Sequence, residues 1–345
     1  MFEFDVDPAA LFEERTGQFR QAGISRGDVK RASSAIVDMW SDQEGGWVPE
    51  WARLANRASA KGNHLQASLL WGAAKFPSLA SPQKQHAYAN QLDSYLQAAK
   101  SFRIPFDRRV FNVSAGDSTT TVAAHCFGKP KHGVLIVSGG VDTWKMDLHR
   151  LMVALARLSR RLVVAVDMPG TGESEVDLSP DADPVLVGLV DQLRDDYPSK
   201  PIAFMGLSFG GYWAAKLAIL GAVDAAVDIG GPTGLADQKV DLLNLPYGMP
   251  GIVANAVGLD AMPDLDYIDE ALDAFSLRQL VRAASSSPLY AINGENDQYV
   301  PAADTTLLQN LPNAKVWMVK NTTHCAVERF PLVVLSALRW LRKQR

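Results

Sequence analysis

The sequence predicts an α/β fold, a mostly parallel β-sheet flanked by helices, with a separate helical region in front of it. From about residue 104 onward, short apolar runs alternate with helix-forming segments, which is the order of repeated strand–helix units. A Gly-x-Ser-x-Gly pentapeptide at 206–210 stands between one such run and one such segment. Residues 1–103 have helical periodicity and no strand pattern. These three observations set the expected order of the elements.

Five segments of the N-terminal region are predicted to be helices. Breakers separate them, among them Gly45-Gly46, Gly62 and Pro77. Their apolar residues recur at helical spacing, so each segment must bury one face against another surface. That surface is another of these helices, the rest of the chain or a second subunit, and the sequence leaves the three open. The segments are 8–22, 25–40, 48–61, 63–75 and 81–102.

The remainder of the chain predicts strands and helices in alternation. Residues 231–284 interrupt the alternation, because four prolines and several large apolar side chains favour a partly helical insertion there. The strands are expected near 134–137, 163–167, 201–205, 225–228, 289–293 and 315–319. The helices are expected near 147–160, 183–197, 211–220 and 331–343.

The pentapeptide at 206–210 has the context of a nucleophile elbow, a sharp strand-to-helix turn that lifts a serine hydroxyl above a sheet. The apolar run 201–205 before it suits a buried strand, and the Ala-rich segment 211–220 after it suits a helix. Glycines flank Ser208 because a Cβ at either site would crowd the strained turn. Ser208 is therefore the candidate nucleophile, and a surface Gly/Ser turn is the alternative reading.

An acid and a histidine follow Ser208 in the order that an elbow nucleophile requires. Asp297 comes after the expected strand 289–293 and a glycine turn, just before a Val-Pro pair that can open a helix. Asp228, at the end of the preceding expected strand, is the rival acid. His324 lies between the last expected strand and the last expected helix, where a general base belongs.

These motifs make the chain similar to the α/β-hydrolases, and the resemblance covers about residues 104–345. Residues 163–174 resemble the strand and the Asp-x-Pro-Gly-x-Gly-x-Ser turn of these enzymes. Residues 134–144 resemble their strand and oxyanion loop, with Ser138-Gly139 in place of the usual His-Gly pair. Two further features narrow the resemblance to one group within these enzymes: the Gly-Gly-x-Asp-x-x-Lys pattern at 139–145 and the long helical N-terminal region. Both features resemble those of the group that contains FrsA-like esterases, 2,6-dihydroxypseudooxynicotine hydrolase and polyketide-shortening hydrolases.

The resemblance implies an α/β-hydrolase fold with an N-terminal helical lid or accessory domain at 1–103 and a catalytic domain at 104–345. It also implies that the insertion at about 231–284 forms a lid. On that pattern we expect the N-terminal helices to dock over the carboxyl edge of the sheet. Together with the insertion they would close an apolar pocket above Ser208.

The candidate residues predict a Ser-His-Asp triad. Ser208 attacks a carbonyl, His324 takes and returns the proton, and Asp297 holds the imidazole tautomer. The oxyanion is expected to bind the amides of Phe209 and Gly140, with Val141 as the alternative to Gly140. The candidates for substrate binding are Asp142, Trp144, Lys145 and Tyr212. For Asp142 and Lys145, the alternative is an ion pair that pins the oxyanion loop.

The expected activity is that of a serine hydrolase acting on a carbonyl substrate. An ester, a thioester and the C–C bond of a β-diketone-like aromatic or polyketide compound all fit, because each reacts by nucleophilic attack and an oxyanion intermediate. The triad therefore does not separate them. An acyltransferase or cyclase on the same triad, and a non-catalytic ligand-binding protein on a hydrolase scaffold, are the alternatives.

Composition and charge set limits on location and partners. The 345-residue chain is 47% hydrophobic and 21% charged, as soluble globular proteins are, and its net charge of −4 argues against general nucleic-acid binding. Its acidic N-terminus predicts no secretory signal, and it has no 18-residue apolar run. Two cysteines give no disulfide framework, so we expect a cytoplasmic protein.

The sequence predicts neither a metal nor an organic cofactor. It has no His-Glu-x-x-His, no Cys-x-x-Cys, no phosphate-binding loop with its lysine and no dinucleotide fingerprint. The expected partner is a small-molecule acyl or aromatic ketone substrate, with no nucleic acid and no membrane. A homodimer is left open.

Overall fold

The computed structural model of the chain describes residues 1–236, 242–264, 267, 273–283 and 287–344. The chain forms two compact units. The first contains Met1–Phe106, Met146–Leu151 and Leu243–Pro263, and the second contains Asp107–Lys145, Met152–Leu242 and Asp264–Arg345. Both units are therefore built from segments that are distant in sequence.

The first unit is helical. Side chains of Asp7, Ser25 and Ser81 accept backbone N–H groups at three helix N-termini, the usual role of these residue types. The apolar faces pack on one another around Trp47 and Trp51, both fully buried. The sequence left open which surface covers these apolar faces. In this unit the helices bury them against one another. The N-terminal helices are α1 Pro8–Ala22, α2 Arg26–Ala35, α3 Trp47–Ala60, α4 His64–Lys75 and α5 Pro82–Ala99.

Helix α2 is shorter than predicted, because it ends at Ala35 rather than near residue 40. Asp38 accepts the backbone N–H groups of Trp40 and Ser41 at 2.7 and 2.6 Å, and Val37 donates its N–H to the Gly45 carbonyl. A short aspartate side chain offers the backbone these local bonds in competition with a helix. The expected helical segment therefore ends in a turn.

The second unit is built on an eight-stranded sheet with the order β1-β2-β4-β3-β5-β6-β7-β8. Strand β2 is antiparallel to β4, and the six strands β3 to β8 are parallel to one another. Strands β3 to β7 are buried throughout, as expected for parallel strands that are covered on both faces. The strands are β1 Phe106–Ala115, β2 Ser118–Phe127, β3 Val134–Ser138, β4 Leu162–Val166, β5 Ile202–Leu207, β6 Ala225–Ile229, β7 Leu289–Gly294 and β8 Ala314–Val319.

The six parallel strands and the helices between them agree with the sequence prediction to within a few residues. Strands β1 and β2 were not predicted, and they extend the sheet on the outer side of β4, the strand expected near 163–167. The remaining helices are α6 His149–Ser159, α7 Asp183–Asp196, α8 Phe209–Ile219, α9 Met249–Ala256, α10 Arg278–Ala283, α11 Ala302–Leu307 and α12 Phe330–Leu341.

The insertion expected at 231–284 is partly helical where it is described. It contains a 3₁₀ turn at Leu242–Asn244 and the helices α9 and α10. Helix α9 belongs to the first unit and α10 to the second. The parts at 237–241, 265–266, 268–272 and 284 lie outside the described residues.

Across the described ranges, no helix has both the length and the apolar character needed to cross a bilayer.

Candidate active site

Ser208 lies in a strained turn between β5 and α8. Its backbone has φ 53° and ψ −127°, a conformation that costs a non-glycine residue free energy and is common at functional sites. Its N–H donates to the Ile229 carbonyl at 2.8 Å, and its carbonyl accepts the Gly211 N–H at 2.7 Å. These bonds hold the serine at the carboxyl end of the sheet, as an elbow does.

The two glycines of the pentapeptide are required by close backbone approach. A Cβ on Gly206 would overlap the Gly210 carbonyl, and a Cβ on Gly210 would overlap the Gly139 carbonyl. Only glycine therefore fits at these two positions of the turn.

His324 lies between the side chains of Ser208 and Asp297. Its Nδ1–H donates to Asp297 Oδ2 at 2.7 Å, since an ionised carboxylate only accepts, and its Nε2 accepts the Ser208 hydroxyl at 2.9 Å. The Asp297 side chain is completely buried, whereas 18% of the His324 side chain is exposed. The structure thus brings together the three residues that the sequence proposed as nucleophile, base and acid.

The connection that carries His324 is a 3₁₀ segment, His324–Arg329, between β8 and α12. Cys325 and Ala326 have φ values of 57° and 51°, which favour glycine, so this backbone must be held by other contacts. Glu328 supplies some of them, because its carboxylate accepts the Thr323 N–H at 3.0 Å and the Thr323 hydroxyl at 2.7 Å. The backbone just before His324 is therefore constrained.

Asp297 is fixed by donors from its own loop and from strand β7. Oδ1 accepts the N–H groups of Tyr299 and Val300 at 2.8 and 3.2 Å, and Oδ2 accepts the Asn293 amide at 2.7 Å. Burial alone raises the pKa of Asp297, but the hydrogen bond and charge of His324, with the Tyr299 and Asn293 donors, hold it below its usual value. The carboxylate is consequently ionised at neutral pH.

The pKa of His324 is shifted in the opposite direction. Burial alone lowers it, whereas the neighbouring Cys325 sulfur and the Asp297 carboxylate raise it, and the net pKa lies well above the usual histidine value. Asp297 therefore stabilises the imidazolium that forms when His324 accepts a proton.

Asp228, the rival acid, lies at the carboxyl end of β6 with a different set of partners. Its side chain is fully buried, and Oδ1 accepts the Gly231 N–H at 2.7 Å. Within the described part of the chain, Oδ2 has no hydrogen-bond partner. Burial raises the pKa of Asp228 to about 7. In this geometry the partner of His324 is Asp297.

The loop after β3 passes directly beside the serine. A Cβ added to Gly140 would lie 2.9 Å from Ser208 Cβ and 3.1 Å from its Oγ. Phe209 is the first residue of α8, so the helix itself provides no acceptor for its N–H. The expected oxyanion donors, Phe209 with Gly140 or Val141, therefore border the nucleophile from two sides.

Lys145 holds this loop through buried ion pairs. Its ammonium contacts Asp167 and, at 2.9 Å, Glu173, and its backbone N–H donates to Asp167 Oδ1 at 2.9 Å. The Lys145 side chain is completely buried. Of the two roles considered for this residue, pinning the oxyanion loop is the one that these contacts support.

The other candidate substrate-binding residues are also largely buried. Asp142 accepts the Thr143 hydroxyl at 2.8 Å, and the Trp144 indole N–H donates to the Val141 carbonyl at 3.1 Å, so both reinforce the loop. The Tyr212 ring packs against Phe209, with 5.4 Å between the ring centroids. A cavity of about 690 Å³ adjoins Tyr212, and its lining includes Asp183, Lys216 and Arg278.

Three residues of the site were not found from the sequence: Asn293, Glu328 and Glu173. Each is a polar side chain that holds a backbone segment or a charge near the triad. The sequence did mark Asn293 as unusual, since it is a polar residue within an otherwise apolar strand.

In the described ranges, no group of three or more histidine, cysteine, aspartate or glutamate side chains is placed to hold a metal ion.

A mostly parallel eight-stranded sheet, with a strained serine turn after β5 and an acid and a histidine after β7 and β8, defines an α/β-hydrolase. The chain belongs to the Esterase FrsA-like family, whose family model matches residues 19–344.

Curated relatives and solved structures agree with this assignment. The chain is 25% identical to Esterase FrsA of Photobacterium profundum, over 81% of this chain and 72% of that protein. It is also 25% identical to Esterase FrsA of Pectobacterium atrosepticum, over 92% and 82% respectively.

Two solved structures share the fold at lower identity. AbyA5 has a TM-score of 0.82 at 19% identity, over 97% of this chain and 94% of that one. The 2,6-dihydroxy-pseudo-oxynicotine hydrolase has a TM-score of 0.73 at 20% identity, over 95% of both chains. Both comparisons show the α/β-hydrolase fold, including its helical N-terminal region.

Proposed function

We propose that this α/β-hydrolase is a serine esterase in which Ser208, His324 and Asp297 form the catalytic triad. The observation that supports the proposal most directly is the position of His324, which hydrogen-bonds to Ser208 at 2.9 Å and to Asp297 at 2.7 Å. A nucleophile, a base and a group that orients the base are the parts that acyl transfer to water requires.

The proposed reaction has two halves. Ser208 Oγ attacks the ester carbonyl while His324 Nε2 takes its proton, and the oxyanion is held by the amides of Phe209 and Gly140. The imidazolium then gives its proton to the leaving alcohol, which leaves an acyl group on Ser208 Oγ. Water attacks the acyl group, passes a proton to His324, and releases the acid while Ser208 regains its proton. Asp297 stabilises the charged imidazole in both halves.

An ester is proposed as the substrate class because the family and the curated relatives are described as esterases. One of the solved structures with this fold is a 2,6-dihydroxy-pseudo-oxynicotine hydrolase, so an aromatic substrate is the second candidate. The C–C bond of a β-diketone-like compound, which the sequence left open, belongs to that candidate. A thioester, or an acceptor other than water, would use the same acyl-enzyme.

Hydrolysis of p-nitrophenyl acyl esters by the wild type and by Ser208→Ala tests the proposal. The variant should keep the fold, because the serine hydroxyl occupies little volume, and should lose on the order of 10³ or more in turnover. A panel of esters, thioesters and β-diketones assigns the substrate class. Near-wild-type turnover by a folded Ser208→Ala protein would contradict the role of the nucleophile.

A further inference from the structure

Asn293, the residue before the last residue of β7, has a fully buried side chain that is hydrogen-bonded at both ends of its amide. Its Nδ2 donates to Asp297 Oδ2 at 2.7 Å and lies 3.4 Å from the Thr305 hydroxyl. Its Oδ1 accepts the Cys325 N–H at 3.1 Å and the Gly294 N–H at 2.8 Å. A single amide thus joins the loop of the acid to the loop of the histidine.

The position of these bonds matters for the proposed triad. Asp297 Oδ2 accepts from Asn293 Nδ2 and from His324 Nδ1, so the amide fixes the oxygen that orients the imidazole. The Cys325 N–H directly follows His324, at a residue with φ 57°. Such a conformation persists only where neighbouring contacts hold it. Asn293 therefore holds the backbone just after His324, whereas Glu328 holds it just before, at Thr323.

We propose that Asn293 is a positioning residue that sets the distance and angle between His324 and Asp297. The proposal rests on the triad proposed above. An amide is the side chain of this size that can donate to one loop and accept from the other. Aspartate has the same shape but cannot donate when ionised, and leucine fills the volume but leaves Asp297 without one donor and the Cys325 N–H without its acceptor.

A purely structural role would make a different prediction. A buried amide that only joins two loops would, when replaced, lower stability and leave the chemistry of the folded molecules unchanged. A positioning role changes the rate of each folded molecule, because misplacement of a catalytic group by about 1 Å costs up to about 10²-fold. It also changes the titration of His324, which faces Asp297, Cys325 and, more remotely, Asp228.

The test compares Asn293→Asp, Asn293→Leu and the matched control Thr305→Val. Thr305 is buried and meets the same amide, but lies at 3.4 Å and contacts neither proposed catalytic side chain through that bond. The measurements are the thermal midpoint, the rate at which a fluorophosphonate probe labels Ser208, and kcat and KM for a p-nitrophenyl ester across pH. Labelling rates are corrected for the folded fraction.

Both Asn293 variants should label Ser208 on the order of 10- to 100-fold more slowly, with KM changed less than about threefold, while Thr305→Val labels at a near-wild-type rate. Asn293→Asp should also move the acidic limb of the kcat/KM profile to higher pH, since a second carboxylate favours the imidazolium. Folded variants with wild-type labelling rates and an unmoved limb would overturn the proposal. Failure of both variants to fold would also overturn it, by showing that the amide maintains the fold.

The two proposals fail in different ways. If the wild type itself is not labelled at Ser208, the triad is wrong and the role of Asn293 falls with it. If the wild type is labelled and the Asn293 variants react equally fast, the triad stands and only the positioning role is wrong.

Discussion

At the scale of single residues, the charge state of His324 controls the proposed reaction. His324 must be neutral to accept the Ser208 proton, and the Cys325 sulfur and the Asp297 carboxylate together hold the His324 pKa well above its usual value of about 6.5. Activity should therefore rise as pH increases, with a midpoint above that value. The pH profile of kcat/KM measures this midpoint, and His324→Ala should remove the limb together with most of the activity. A midpoint below about 6, or a flat profile with chemistry rate-limiting, would count against His324 as the base.

The two buried acids give a second residue-level prediction. Asp297→Asn should lower kcat by up to about 10⁴-fold, as loss of the orienting carboxylate does in other triads. Asp228→Asn keeps an oxygen for the Gly231 N–H and should change kcat by less than about threefold, since no triad hydrogen bond is lost. Steady-state kinetics on both folded variants checks the pair. The reverse order of effects would assign the catalytic role to Asp228.

Asp228 also predicts a pH dependence of stability. Its folded pKa of about 7 lies above its unfolded value of about 4, so the unfolded state loses its proton first as pH rises. Wild-type stability should thus fall between about pH 4 and 7 relative to Asp228→Asn, and the difference should then level off. Urea unfolding at about pH 5 and about pH 8 measures the difference in unfolding free energy between the two proteins. The same difference at both pH values would be inconsistent with a buried, protonated Asp228.

At the scale of elements, the buried Lys145 ammonium anchors the loop 139–145 beside Ser208. Lys145→Met would leave Asp167 and Glu173 without their buried partner, which typically costs roughly 3 to 5 kcal/mol. The free energy of unfolding and kcat should both fall, because the loop beside Ser208 loses its anchor. Denaturant unfolding with kinetics on the folded protein checks both. Lys75→Met, which removes an equally buried ammonium that pairs with Asp147 in the first unit, serves as the control. Loss of stability without loss of turnover would show that the loop keeps its geometry without Lys145.

Which elements could be predicted depended on how each one is buried. The central strands are covered on both faces and appear in the sequence as continuous apolar runs. Strand β1 is half exposed, and the charged residues Asp107, Arg108 and Arg109 conceal its pattern. The end of α2 was missed because the bonds of Asp38 to its own turn outweigh helical periodicity.

The site was predictable to the extent that its signals are local. Ser208 lies within a five-residue motif, and His324 follows from its place between the last strand and the last helix. Asp297 and Asp228 both follow strands that end at the same edge of the sheet, and the glycine turn and Val-Pro pair around Asp297 favoured it from the sequence. The hydrogen bond between Asp297 and His324 agrees with that choice. Asn293 acts through contacts to residues 4 and 32 positions away, which no sequence pattern shows.

At the scale of the whole molecule, the first compact unit includes parts of the chain far from residues 1–100. Asn255 of α9 donates to the Phe2 carbonyl at 3.0 Å, Lys75 pairs with Asp147 at 3.0 Å, and Tyr95 hydrogen-bonds to His149 at 2.8 Å. Deleting residues 1–100 would expose these segments, so the truncated chain should be less soluble than the intact chain. Size-exclusion chromatography and circular dichroism check this.

The lid role of the N-terminal helices stays a prediction that the same truncation addresses. If the helices close the pocket above Ser208, their loss should impair large acyl esters more than acetate esters. A soluble truncated chain with unchanged acyl-chain selectivity would contradict both the packing argument and the lid.

In the proposed mechanism, Ser208 becomes acylated while His324 and Asp297 drive the transfer. Mass spectrometry of the intact protein after rapid mixing with a p-nitrophenyl ester, followed by peptide mapping, measures this most directly. The expected result is a mass increase equal to the acyl group, confined to the peptide that contains Ser208. The increase should be absent in Ser208→Ala and greatly slowed in His324→Ala. Wild-type turnover with the acyl group on another residue, or undiminished acylation in His324→Ala, would contradict it.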